Sequence, residues 1–278
     1  MNRKRVLITG CSGGLGAELV RQYLALGWRV FATVTHLDRS GAMEALKWVD
    51  GLSLMQMDVC ELADIEQVKD QLESDGHLDA LIINAGVHRF APIETVDFKL
   101  AQQVMDVNFF GALRCVQAFA PMMRVRRSGR IIAISSLSAQ IGLPCDGVYA
   151  ASKAALEKAF ESLRVELSHF DVGVSVVTPS SFPSGLMGPL VEQFLDSCSP
   201  YSSLLASLLA QKQDGDTSSL VSVAQGVIAL SLSEQMPFRV PVDVRGGQVL
   251  HKIYRMNEAE RSHAVADWSG TAWWSGSY

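Results

Sequence analysis

The chain has 278 residues, 48% of them apolar and 19% charged, with a formal net charge of −5. That balance suits a globular protein with a sizeable core and excludes a disordered chain, and the charge, spread without a strong block, speaks against a nucleic-acid partner. With no cleavable signal and no apolar run of about eighteen residues, the expectation is a cytoplasmic protein without a membrane span.

Val6-Leu7-Ile8 reads as a buried parallel strand, and Ala17 to Leu26 as a helix with Leu19, Val20, Tyr23 and Leu24 on one face. Between them Thr9-Gly-Cys-Ser-Gly-Gly-Leu-Gly16 turns sharply from strand to helix. Gly10, Gly14 and Gly16 allow unusual φ values and let a phosphate come close, while the free N–H groups and the positive end of the helix point toward it. The octet in that setting predicts nucleotide binding. Further strands are expected at Arg29 to Val34 and Leu52 to Met57, a helix at Leu62 to Leu72, and a wholly apolar strand at Ala80 to Ile83. A long helical stretch, Phe98 to Met123, leads into the basic cluster Arg124, Arg126, Arg127 and Arg130, which suits a helix C-terminus. Strand Arg130 to Ser135, helix Val148 to Phe170 and strand Val172 to Val177 complete the alternation. Apolar strands alternating with helices predict an α/β fold, a doubly wound Rossmann-type parallel sheet with helices on both faces. Residues 1–278 are expected to form a single dinucleotide-binding and catalytic domain. Five cysteines (Cys11, Cys60, Cys115, Cys145, Cys198) are odd in number and lack metal-site spacing, which predicts free thiols and no metal.

In such a sheet the ligand lies beyond the carboxyl ends of the strands. The candidates are therefore Thr9-Gly10, Val34-Thr35, Asp58-Val59, Asn84-Ala85-Gly86, Ser135-Ser136 and Thr178-Pro179. Past Ser136 a helix opens with Tyr149-Ala-Ala-Ser-Lys153. Tyr and Lys at i and i+4 share a helix face. A protonated lysine nearby would draw the phenol pKa below its ordinary value of about 10. A phenol tuned in that way exchanges a proton with a carbonyl or alcohol. An ordinary helical Tyr–Lys pair is the alternative reading.

Thr9-Gly-x-x-x-Gly14-x-Gly16, Asp58, Asn84-Ala-Gly86, Asn108, Ser136 and Tyr149-x-x-x-Lys153 occur in this order and at this spacing. Together they resemble the short-chain dehydrogenase/reductase family in its single-domain form, over about residues 4 to 180. The opening Cys-Ser-Gly-Gly, the phrase Val30-Phe-Ala-Thr33 and the long C-terminal part look most like its hydroxysteroid and retinol dehydrogenase branch. The resemblance implies an NAD(P)-dependent oxidoreductase of the ketoreductase type, interconverting a carbonyl and a secondary alcohol. Tyr149 would be general acid and base, and Lys153 would hold the nicotinamide ribose and depress the Tyr149 pKa. Ser136 would hydrogen-bond the substrate oxygen, and Asn108 would hold a water linking Lys153 to solvent. Gly10, Gly14 and Gly16, with Ser12 and Leu15 of the same turn, would surround the pyrophosphate. Asp58 and Val59 would contact the adenine, and Asn84, Ala85 and Gly86 would support the central sheet and the cofactor. Three second readings stand beside these: Asp58 as cap of the helix beginning near Glu61, Asn108 as a solvated helix residue, and Ser135 or Ser138 in place of Ser136.

A nucleotide site that prefers NAD places an acid at the end of the second strand, where this chain has Val34. The family's basic NADP residues are also missing, Gly13 and Thr35 standing in their positions. Thr35, His36 and Arg39 are placed to reach a 2′-phosphate, so NADP (NADPH) is favoured, with NAD through Asp38 as the alternative. After the sixth strand Pro179-Ser180 stands where the family has Pro-Gly, and Ser184 where it has a threonine near the nicotinamide amide. Residues 182 to 216 would form the substrate lid; its leucine-rich surface closes on a lipophilic substrate or packs as helix or dimer core. His88, Phe90, Gln140, Leu143 and Cys145 would line the same cleft. The C-terminal extension from about 237 to 278 holds Val240 to Val244, a basic helical piece (His251, Lys252, Arg255), then Trp268, Trp273 and Trp274. Packing on the cleft, packing on a partner subunit and disorder are all open for it. The resemblance further implies a small-molecule carbonyl or alcohol substrate and a homodimer or homotetramer joined through the long helices. A cofactor-binding regulatory protein without turnover, and an epimerase or dehydratase on the same scaffold, are the competing readings.

Overall fold

The computed structural model describes residues 3–181, 199–214 and 218–275. Strand and helix alternate: β1 (Arg5–Ile8), α1 (Gly14–Ala25), β2 (Arg29–Val34), β3 (Leu52–Gln56), α2 (Leu62–Asp75), β4 (Ala80–Ile83), α3 (Phe98–Met105), α4 (Gly111–Arg126), β5 (Gly129–Ile134), α5 (Gly147–Ser168) and β6 (Val172–Val177). Beyond β6 come α6 (Ser202–Asp214), α7 (Leu220–Leu232), β7 (Arg239–Val240), α8 (Val244–Arg255), α9 (Glu258–Trp268) and α10 (Ala272–Ser275). The strands form one sheet in the order β3-β2-β1-β4-β5-β6-β7, every neighbour parallel. This is the doubly wound Rossmann-type sheet that the alternation predicts.

Because side chains alternate across a strand and both faces are covered, each strand feeds two cores. Leu7, Leu81, Ile83, Ile131, Ala133, Val174 and Val176 pack with α2, α4 and α5. Val6, Ile8, Ala80, Ile82, Ile132, Ile134 and Val177 pack on the other face with α1 and α7. The chain leaves β1 toward β2 and returns to start β4 on the opposite side, so the winding reverses between β1 and β4. A crevice opens at the carboxyl ends of strands at such a point.

Element boundaries differ from the sequence reading where caps decide them. Helix α1 starts at Gly14, not Ala17, because extended Gly13 serves as its N-cap. That places Gly14, Leu15 and Gly16 inside the first turn. Helix α8 starts at Val244, four residues past β7, because the Asp243 side chain accepts from the Gly246 N–H. The long helical stretch from residue 98 ends at Arg126, with Arg127 in the left-handed region at φ 53°. There the Arg126 guanidinium donates to Asp79 Oδ1 at 2.9 Å and to the Leu78 carbonyl at 3.1 Å. Between α3 and α4 a π-helical turn, Asp106–Phe110, interrupts the α-helix. Among the described residues no helix is long and apolar enough to cross a membrane.

Phe160, on the helix that carries Tyr149 and Lys153, is fully buried against the sheet. Phe160→Ala is expected to lower unfolding stability by about 3–5 kcal/mol, read as a fall in the urea midpoint with an unchanged slope.

Candidate active site

The crevice is organised by Thr9 and Asn84. Thr9 Oγ1 accepts from the N–H groups of Asn84 at 3.0 Å and Ala85 at 2.9 Å. Asn84 Nδ2 donates to the carbonyls of Thr9 and Gly10, both at 2.9 Å. These bonds hold the ends of β1 and β4 together where the sheet reverses. Gly10 has φ +71°, and a Cβ on it would lie 2.7 Å from Ala85 Cα, so no side chain fits. A Cβ on Gly16 would strike the Gly10 carbonyl and stand 2.7 Å from Asn84 Nδ2. The turn is therefore packed from below by the residues predicted to support it.

From above it is open. Among the described residues nothing lies within 4 Å of a Cβ built on Gly13, none caps α1 with a side chain, and the first turn of α1 holds no acid. The first N–H groups of a helix have no intrahelical partner, and among the described residues no side chain caps them here. Their positive field suits a phosphate. The chain after β2 folds back over this turn: Ala42 donates to the Ser12 carbonyl at 3.0 Å, and a Cβ on Gly41, at φ +59°, would strike the same oxygen. Thr35, His36 and Arg39 lie exposed on the rim of that loop. The Arg39 guanidinium stands 3.9 Å from Asp38, with both side chains largely in solvent, so the pair is a weak restraint. Asp58 does not cap α2, whose N-cap is Glu61 without a side-chain bond. Its carboxylate instead accepts from the Cys60 N–H at 2.9 Å and shapes the turn that presents buried Val59.

The second half of the crevice lies past β4 and β5. Asn108 sits in the π turn and is buried, not solvated. The widened turn aims its amide inward: Oδ1 accepts from the Val87 N–H at 2.8 Å, and Nδ2 donates to the Val87 carbonyl at 2.9 Å and to Ser152 Oγ at 3.0 Å. Lys153 Nζ donates to the Ile134 carbonyl at 2.8 Å, at the end of β5. A Cβ on Gly86 would lie 3.3 Å from Asn108 Oδ1 and 3.6 Å from Lys153 Nζ, so the bare glycine keeps open the space the two share. Tyr149 is buried one turn before Lys153, whose Nζ is 5.8 Å from the centre of its ring.

Three serines past β5 have separate partners. The Ser135 hydroxyl donates to Glu157 at 2.6 Å and the Ser138 hydroxyl to Asp146 at 2.8 Å. Ser136 Oγ accepts from the Ser138 N–H at 3.1 Å, and Ser136 is the serine whose hydroxyl acts on the Tyr149 phenol, lowering its proton affinity. The expected depression of the Tyr149 pKa does not occur in this arrangement. Burial pushes the phenol well above its ordinary value, the Asp146 charge adds to the rise, and only the influence of the Ser136 hydroxyl opposes it. Burial also pushes the Lys153 ammonium down to about 8, against the attraction of Glu157. Its nearest polar contact is the Ile134 carbonyl, and its charge does not offset the desolvation of the phenol.

Several partners escaped the sequence reading. Buried Glu157 collects Ser135, Gln140 and Arg239, the last at 2.7 Å, and ties the end of β5 to β7. Gln140 also accepts from the Tyr254 hydroxyl of α8 at 3.3 Å. Ser180, standing where the resemblance implies glycine, bonds Asp243 through both its N–H at 2.9 Å and its hydroxyl at 2.8 Å. Pro179 before it is buried. Signals for these pairs were present but faint: an Asp three residues before Gly246, and a buried-position Glu one turn past Lys153. Ser184 and residues 182–198 of the expected lid lie outside the described residues. Within the rest of that stretch, Leu204, Leu205 and Leu208 of α6 pack with Cys145, Phe90 and Tyr201. Tyr201 hydrogen-bonds Glu94 and its ring meets Trp274 of α10 at 6.1 Å, so the C-terminal aromatics pack beside the cleft.

A family model described as short chain dehydrogenase matches residues 4–193. Retinol dehydrogenase 8 of Bos taurus is 38% identical over 196 residues, covering 68% of this chain and 62% of that protein. The 17-beta-hydroxysteroid dehydrogenase type 1 of Homo sapiens is 37% identical over 185 residues, 64% of this chain and 56% of that one. The chain thus spans less than two thirds of the length of these curated relatives. A crystal structure of a short-chain dehydrogenase from Streptomyces avermitilis superposes with a TM-score of 0.81 at 25% identity, covering 97% of this chain and 99% of that one. Another from Burkholderia cenocepacia, in complex with NADP, gives a TM-score of 0.75 at 22% identity over 94% and 97%. The matched stretch begins just before β1 and runs past β6, taking in each strand end that forms the crevice, and on that footing the chain belongs to the short-chain dehydrogenase family, on its retinol and hydroxysteroid dehydrogenase side.

Proposed function

We propose that the protein is an NADP-preferring oxidoreductase that interconverts a carbonyl and a secondary alcohol on a lipophilic, ring-bearing small molecule. The observation that carries this reading is buried Tyr149 with the Lys153 ammonium 5.8 Å from its ring centre and Ser136 acting on its phenol, at the carboxyl end of a sheet whose first helix starts uncapped. The N–H groups at Gly14, Leu15 and Gly16, with Ser12, would take the pyrophosphate. Asp58 and Val59 would take the adenine, Lys153 the ribose, and Asn84, Ala85, Gly86 and Pro179 the nicotinamide end. A bound nicotinamide dinucleotide supplies or accepts the hydride, while the protein supplies position and protons.

Ser136 and Tyr149 would both donate to one substrate oxygen, which fixes the carbonyl against the reacting face and contributes the proximity effect. Tyr149 then gives its proton as the oxygen gains charge. Burial and Asp146 keep the phenol protonated, a state ready to donate, so the arrangement suits reduction better than oxidation. With its pKa near 8, Lys153 still carries charge at neutral pH and would stabilise the tyrosinate left behind. The gap beside Gly86, between Lys153 and Asn108, is the place for a water that returns the proton. Two features support the NADP preference: no acid at Val34, and Thr35, His36 and Arg39 exposed on the rim. The lipophilic substrate is supported by the apolar wall of Phe90, Cys145, Leu204, Leu205 and Leu208, and by relatives named for retinol and a hydroxysteroid.

Tyr149→Phe should keep cofactor binding and lose turnover by about 10²–10⁴-fold; activity near wild type would sink the acid–base assignment. In a fluorescence titration NADPH should bind more tightly than NADH, and His36→Ala/Arg39→Ala should weaken NADPH about tenfold, roughly 1.4 kcal/mol, and leave NADH unchanged. Tighter NADH would instead put Asp38 on the ribose. Lys153 has its folded pKa depressed from 10.5 to about 8, so the unfolded chain binds the extra proton between those values. The wild type should therefore gain stability relative to Lys153→Met as pH rises from 8 to 10.5, measured by urea midpoints across that window.

A further inference from the structure

Resting on the reading of Tyr149 as the proton donor, we propose that His88 and Asp146 form a charge-compensating pair that seats the Tyr149 ring and sets the proton affinity of its hydroxyl. The His88 imidazole lies on the Tyr149 ring with centroids 4.1 Å apart and planes 31° from parallel. Phe90 backs it on a centroid distance of 4.4 Å. His88 Nε2 meets Asp146 Oδ1 at 2.5 Å, and the Ser138 hydroxyl donates to the other carboxylate oxygen at 2.8 Å. An ionised carboxylate only accepts, so Nε2 carries the hydrogen. The two loops are pinned to each other by the Ala91 N–H, which donates to the Cys145 carbonyl at 2.9 Å.

Asp146 is the N-cap residue of α5, a position where its carboxylate would ordinarily accept from the helix's own N–H groups. Here it makes no such bond and turns to His88 and Ser138 instead. Helix stability is given up for a contact at the ring of Tyr149. An unshared carboxylate beside a buried phenol opposes formation of the phenolate. The Asp146 charge does raise the Tyr149 pKa. The imidazole N–H draws that charge away from the phenol and, by stacking, fixes the orientation of the ring. The other groups facing this pair are the Lys153 ammonium from α5, the Cys145 thiol, which burial and Asp146 push up to about 11, and the Arg89 guanidinium, which donates to the His88 carbonyl at 2.9 Å. His88 is thus a positioning residue, acting through Tyr149.

The test is ¹³Cζ-tyrosine NMR of the full chain, with Tyr149→Phe identifying the resonance, in His88→Phe, His88→Gln, Asp146→Asn and the His88→Phe/Asp146→Asn double variant. The pH at which the Tyr149 signal begins to move should fall by about one unit in Asp146→Asn and rise by a similar amount in His88→Phe. The double variant should follow Asp146→Asn, and His88→Gln, which keeps an N–H for the carboxylate, should stay near wild type. An onset unmoved by Asp146→Asn, or a His88→Phe rise that survives in the double variant, overturns the pair. NADPH-dependent reduction of a lipophilic ketone panel is assayed beside it. Shifts of the signal without turnover in the wild type would sink the oxidoreductase reading and leave the pair standing; turnover with an unmoved signal would do the reverse.

Discussion

The site depends on two strands being held apart and together at once. Where the sheet reverses its winding, β1 and β4 are neighbours whose chains depart in opposite directions. Their ends would splay, leaving backbone donors and acceptors without partners in a partly buried crevice, a cost of about 1–3 kcal/mol for each orphaned group. Thr9 and Asn84 remove that cost with four hydrogen bonds. The lock brings the chain so close that residue 10 has no room for a side chain, and it fixes the direction in which α1 leaves. The anion-binding helix start, the bare space at Gly86 and the Asn108 contact to Val87 all take their positions from this join.

Around it the protein keeps titratable groups out of water and assigns each a neighbour. Lys153 has the Ile134 carbonyl, Glu157 has Arg239 and two polar side chains, Asp146 has His88 and Ser138, and Asp243 has Ser180 and Gly246. Buried charge without such partners is strongly unfavourable, and breaking one member of a pair leaves the other stranded. The pairs also reach across the chain. Glu157 joins the end of β5 to β7, and Asp243 joins the end of β6 to α8, so the segment after β6 is braced against the crevice.

Much of this was legible in the sequence. Uninterrupted apolar strands such as Ala80–Ile83 announce burial on both faces, and that alone leads to a parallel sheet with a crevice at its carboxyl ends. The glycine-rich turn and the Tyr149–Lys153 pair are local patterns, visible because their partners lie a few residues apart. What stayed hidden is long-range. His88 is 58 residues from Asp146, Ser180 is 63 from Asp243, and Glu157 is 82 from Arg239. Single residues of this kind carry no periodicity. The direction of the Tyr149 shift is hidden for a related reason: spacing places Lys153 on the same helix face, but it does not report how completely the phenol is desolvated, and desolvation is the larger effect. Asp58 failed as a cap because Glu61, extended and without a side-chain bond, already occupies that place.

The π turn at Asp106–Phe110 sets a phase relation along the helix it interrupts. An α-helix advances about 100° per residue, so one added residue rotates everything on one side of it by more than a quarter turn relative to the other. Helices α3 and α4 thereby present faces that a continuous α-helix of the same sequence would not align. Such a register is discrete: removing any one residue from the turn would rejoin the two helices as a single rod, swing the Asn108 amide off Val87 and send the buried face of α3 toward solvent. Substitution can vary the side chains of this helix gradually, but its length is quantised around Asn108.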